Sequence, residues 1–152
     1  MTPRHEALRA LIEVAGIRAQ NAATQLQRLT GRLRDAMRQA SILEEYRQDY
    51  AARLQQTMRA GLSMPNYHNF HRFIASLDEA ISQQNRTVAQ INANLEQSRI
   101  HWSHEKRRLL SYEAWSSRLA RQQALHEARG EQRANDEIAA NFFRRTRPTD
   151  HG

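Results

Sequence analysis

The sequence predicts an all-α fold: a long antiparallel two-helix coiled-coil hairpin whose C-terminal helix overhangs the other. Three observations predict it. Apolar residues recur in steps of four and three over two long stretches, the helical period drawn toward 3.5 residues. Between Gly31 and Gly130 the only helix breakers are Gly61 and Pro65, so the chain folds back once, near its middle. The 152 residues are dominated by Ala, Gln, Arg, Leu and Glu, with three prolines and five glycines, and such a mixture with sustained periodicity reads as long helix rather than disorder. Apolar residues make up 39% and mean hydropathy is −0.84, too polar for an ordinary globular core. A two-helix seam, however, needs only about two buried positions in seven.

Thr2-Pro3 opens the first helix, expected over about residues 3–60, with a hydroxyl cap and a proline at the first helical position. Its seam runs through Leu8, Ile12, Ala15, Ala19, Ala22, Leu26, Leu29, Leu33, Ala36, Ala40, Leu43, Arg47, Tyr50, Leu54 and Thr57. Arg47 and Thr57 are its only polar members. The many alanines allow close approach of a partner helix, and a 3.5-residue period held this long implies a left-handed supercoil. At 1.5 Å per residue this arm would be about 85 Å long. Gly16 and Gly31 lie inside the pattern and soften the helix, each at about 1 kcal/mol against Ala, without ending it.

The turn is expected at about 61–66. Gly61 stops the first helix, and Ser63 and Asn66 are able to accept backbone N–H groups as the next begins. The second helix, expected over about 67–142, has its own seam: Phe70, Ile74, Leu77, Ile81, Gln84, Val88, Ile91, Leu95, Ser98, Trp102, Glu105, Leu109, Tyr112, Ser116 and Leu119. Gln84, Ser98 and Glu105 interrupt it, which weakens a seam but fixes its register. After Leu119 the pattern thins to Leu125, Ala128, Ala134, Ile138 and Phe142, an overhang of about 20 residues. Residues 143–152 read as a frayed basic tail.

Without cysteine there is no disulfide or thiolate site. The first residues lead into no unbroken apolar run, so no signal peptide is expected, and no stretch approaches the roughly 18 apolar residues of a membrane span. The expectation is a cytoplasmic, all-helical chain. The net charge of +7 is uneven: residues 1–35 carry six Arg against three acids, residues 36–98 six against six, and residues 99–152 eleven Lys or Arg against seven. The excess therefore gathers where the termini would meet, a pole able to steer an acidic partner.

Little else in the sequence points to chemistry. His68 and His71, and His101 and His104, stand three apart, but neither pair has further ligands of metal-binding spacing, so no metal site is expected. No glycine-rich run carries a lysine. Glu44-Glu45 and Asp78-Glu79 are adjacent on helix faces rather than opposed across a cleft, and two helices enclose no pocket that would desolvate a catalytic group. No enzymatic activity and no cofactor are expected. Lys106-Arg107-Arg108 and the Arg-rich tail suit nucleic acid in charge alone, because acids are interspersed and no aromatic platform accompanies them. One feature exceeds a two-stranded seam: Phe73 and Ala80 widen the Phe70/Ile74/Leu77/Ile81 stripe on one flank, and Tyr67 adds an aromatic. An apolar strip wider than one helix covers is a candidate docking face.

Tyr46-Arg47-Gln48-Asp49-Tyr50, Met58-Arg59-Ala60-Gly61 and the run from Tyr67-His68-Asn69-Phe70-His71-Arg72-Phe73 through Ile74-Ala75-Ser76-Leu77-Asp78-Glu79-Ala80-Ile81 resemble the bacterial flagellar export family FliJ. The length, the basic N-terminal arm and the region Trp102…Lys106-Arg107…Leu109 with Trp115 are similar as well. The resemblance spans essentially the whole chain and is sharpest over residues 43–84; injectisome stalk proteins share the architecture. It implies a non-catalytic stalk and escort protein in flagellum biogenesis and motility, similar to the central-stalk gamma subunit of rotary ATPases. Its implied partners are the export ATPase FliI, the export gate FlhA and freed export chaperones, at the cytoplasmic face of the inner membrane. By the same resemblance, the gate-binding positions fall on Phe73, Leu77, Ala80 and Gln84. Related chains can carry His at the last, and Gln84 keeps a hydrogen-bonding group without its titration. The basic pole, with Arg9, Arg18, Arg129 and Arg133 as its candidates, would meet the ATPase ring. The same heptads also fit a homodimerising adaptor coiled coil, and more distantly a nucleic-acid-binding helix pair.

Overall fold

The computed structural model describes residues 2–146. Two helices account for nearly all of them and pack against each other: α1, Pro3–Arg59, and α2, Met64–Thr146. The fold is an all-α helical hairpin.

Local chemistry explains each helix end. At the start of α1 the Thr2 carbonyl accepts the N–H groups of His5 and Glu6 at 3.1 and 3.3 Å, and Thr2 Oγ1 accepts the His5 N–H at 3.4 Å. Two first-turn donors are thereby satisfied. At the other end Gly61 has φ of 93°, the left-handed region open to glycine, and its N–H donates to the Met58 carbonyl at 3.2 Å. α2 begins at Met64, three residues ahead of the expected start. Pro65 reads as a breaker in sequence but lies in the first turn, where no intrahelical donor is needed. The Ser63 carbonyl takes the Tyr67 N–H at 3.0 Å. At the far end α2 continues through residues 143–146, the first part of the expected tail, and Thr146 Oγ1 donates to the Phe142 carbonyl at 3.0 Å. The rest of that tail, 147–152, lies outside the described residues.

The chain divides into two packed units. The longer holds Ile17–Lys106. Within it the helices run antiparallel, since Tyr50 meets Phe70 and Phe73, Arg47 meets Asp78, and Ala36 meets Gln84. Its seam buries Ala19, Ala22, Leu29, Ala36 and Leu54 of α1 and Ile91, Leu95, Ser98 and Glu105 of α2. Every other seam position in this unit is half-buried, so the heptad register places each of these residues inward. The shorter unit joins the described residues up to Gly16 with those from Arg107 on. Leu8 and Ala15 are buried there, and Leu109, Tyr112, Ser116 and Leu119 are half-buried. From residue 120 to 146 every residue of α2 is exposed, a stretch of helix that none of the described residues covers.

Candidate docking faces

Just after the turn, α2 carries the candidate gate-binding strip. Phe73, Leu77, Ala80 and Gln84 follow steps of four and three and therefore share one side of the helix. They differ in environment. Phe73 is 47% exposed, and the short turn does not cover it. Its ring meets that of Tyr50 of α1 at a tilt of 45°, with centroids 4.4 Å apart, while Tyr50 also meets Phe70 at 5.1 Å. Tyr50 thus supports Phe73 from beneath without enclosing it. Leu77 and Ala80 are half-buried. Gln84 is half-buried too, and its amide donates to the Ala36 carbonyl across the seam at 2.9 Å. At least one of its donors is committed to holding the two helices together.

Beside this strip Arg47 and Asp78 form a two-pronged ion pair, Nε to Oδ1 and Nη2 to Oδ2, the latter at 3.4 Å. The hydrogen bond from Arg47 to Asp78 first, and the attraction of its charge second, raise the Arg47 pKa beyond its ordinary value. An exposed pair of this kind adds little stability. It does set register, because only one alignment of the helices brings the two groups together. The sequence pattern assigns Arg47 to the seam without naming its acid, and Tyr50 to the seam without its hold on Phe73. An arginine at a seam position is the available signal, since it calls for an acid on the facing helix.

The four basic candidates are all exposed. Arg18 belongs to the longer unit, and Arg9, Arg129 and Arg133 to the shorter. Arg129 and Arg133, four residues apart, share a face of the uncovered part of α2. Arg18 borders an open groove of about 430 Å³ with Asn21, Ala22, Gln25, His101 and Glu105. Glu105 is only 7% exposed, and its Oε2 is buried without a hydrogen-bond partner. The small Ala22 across the seam leaves room for the carboxylate but offers it no donor.

Among the described residues, no three His, Cys, Asp or Glu side chains group as a metal would require, and no helix is long and apolar enough to cross a membrane. His68, His71, His101 and His104 are exposed; the His71 ring meets the edge of Tyr67 at 4.3 Å. The distinctive side chains stand on open helix faces: an aromatic strip after the turn, scattered arginines, and a bare C-terminal stretch.

These features define a class, the two-helix hairpins whose notable groups lie on outward faces. Comparison with known proteins narrows it. The family model described as "Flagellar FliJ protein" matches residues 4–148. The flagellar FliJ protein of Escherichia coli (strain K12) is 27% identical over 135 residues, 89% of this chain and 92% of that protein. That of Salmonella typhi is 26% identical over 136 residues, 90% and 92% of the two chains. No solved structure matches. The chain belongs to the flagellar FliJ protein family.

Proposed function

We propose that this chain is a non-catalytic stalk and escort component of the flagellar type III export apparatus, which engages the export gate FlhA through the strip after the turn and the export ATPase FliI through its basic residues. The observation that carries the reading is Phe73: a large aromatic half in solvent, rigidly backed by Tyr50, in a chain of the flagellar FliJ family. A pre-oriented aromatic loses little conformational freedom when a partner covers it, so most of its burial contributes to affinity. Ala80 keeps the neighbouring surface flat. Leu77 and Gln84 act from below, one by packing and the other by tying α2 to α1.

The exposed arginines supply the second contact. Long basic side chains on open helix faces attract an acidic rim at a distance, and this attraction is screened by salt. The protein then links gate and ATPase mechanically, with no bond made or broken by its own side chains, and binds freed export chaperones. Its place is at the cytoplasmic face of the inner membrane, held there by the gate.

The test of the ATPase contact is a salt series. With Arg9, Arg18, Arg129 and Arg133 replaced together by Gln, affinity for FliI should fall and its salt dependence should flatten. An unchanged affinity across the series would exclude these residues from the ATPase contact. The gate contact is tested by affinity measurements on strip variants.

A further inference from the structure

The last three turns of α2 carry an amphipathic surface that neither proposed contact uses. Ile138, Phe142 and Phe143 are 67%, 68% and 70% exposed, more than any other large apolar group among the described residues. At about 100° per residue they lie, with Ala139, within an arc of about 140°. Asn135 and Thr146 bound this arc along the axis, and no polar residue between them falls inside it. Arg145 stands at one rim of the arc, with Asn141 just beyond it, and Asp136 at the other; Glu137 and Arg144 lie on the opposite face. Ile138, Asn141, Phe142 and Arg145 together line a shallow notch. The run 138–145 holds two arginines and no acid; Asp136 and Glu137 precede it, about 9 and 8 Å back along the axis from Phe142.

Two features decide what covers this surface. Continued past Leu119, the seam register falls on Gln123, His126, Gly130, Arg133 and Glu137, so a coiled-coil partner in that register would meet polar groups. The apolar arc is out of phase with the seam and broader than the narrow stripe one helix covers. A broad apolar arc with bulky rings outward, arginine at the rim nearer the helix end and a second arginine on the outward face matches a plane that is apolar within and anionic at its surface. The uncovered helix also includes Gly130 and gains nothing from packing among the described residues, so adsorption onto such a plane would stabilise it.

We infer that the tip of α2, centred on Ile138, Phe142, Phe143, Arg144 and Arg145, is an interfacial membrane contact that adsorbs to anionic phospholipid. The rings enter the boundary between headgroups and acyl chains, the Arg145 guanidinium at the rim pairs with phosphate, and Arg144 on the outward face adds positive charge over the anionic surface. This adsorption is independent of whether the gate or the ATPase binds the chain.

Flotation of the full chain with vesicles tests it. The chain should float with phosphatidylcholine vesicles containing phosphatidylglycerol, leave them as salt rises, and remain behind with phosphatidylcholine alone. The pair Phe142→Ser and Phe143→Ser should cut partitioning at least about tenfold through lost apolar burial. Arg144→Glu with Arg145→Glu should do the same through lost phosphate attraction. Both double variants should melt like the parent, because no described residue packs against the tip. No flotation with anionic vesicles, equal flotation with both kinds, or full binding by either variant would overturn the inference. So would sedimentation showing that the two rings instead hold two copies of the chain together.

Discussion

Glu105 occupies a seam position facing alanine, where its Oε2 is buried and gains no donor in return. A buried polar group left unpaired costs about 1–3 kcal/mol. Glu105→Leu should therefore raise the melting temperature, since leucine also fills the space beside Ala22; a lower melt would mean that the carboxylate has a stabilising partner. Phe73→Ala removes the tilted ring contact with Tyr50 and should cost about 1 kcal/mol, leaving the chain folded. Both residues are legible in the sequence, each with part of its role. Glu105 shows there as a seam member, but its isolation depends on how far Arg18, Asn21, Gln25 and His101 reach, which periodicity does not carry. Phe73 shows as a flank residue, but a heptad count cannot reveal that a seam tyrosine leans under its ring.

Both helices are built on one period, and the exceptions have local causes. Gly31 sits mid-helix with open space where a Cβ would stand, whereas Gly61 holds a positive φ at the end of α1. Alanine should therefore act with opposite sign at the two sites. Gly31→Ala should stabilise by about 1 kcal/mol, and Gly61→Ala should destabilise by about 1–2 kcal/mol; paired thermal melts check both, and equal signs would contradict the assignment of the turn. The seam of the longer unit is readable because a buried stripe must keep its spacing over many turns. The early start of α2 is not, since Pro65 is a breaker by type and a first-turn residue only by position. The weakening pattern after Leu119 does signal an overhang, and residues 120–146 are exposed throughout. Backbone amides there should exchange with solvent far faster than those at Ile91 or Leu95, because an isolated helix is only marginally stable; equal protection would require a packing partner.

Across the whole molecule, all-α character and a single fold-back are written in composition, period and one break, and membership of the flagellar FliJ family adds the setting in which such a hairpin works. In the shorter unit, Ile12 and Ser116 are both half-buried seam positions, so spin labels near them should lie within the contact range of packed helices, roughly 10 Å between axes. A separation many times larger would contradict the hairpin there. Charge patterning is legible as a count by segment but not as a site, because arginines on helix surfaces are exposed whatever their role. The proposed docking strip rests on one aromatic and its neighbours. Its most direct test is the affinity of purified gate protein for Phe73→Ala and for Ala80→Arg, read beside their thermal melts. A loss of at least about tenfold is expected for each, well beyond what the change in folded fraction explains. Variants that bind only in proportion to their folded fraction would show that this flank belongs to the core and that the gate, if it binds, does so elsewhere.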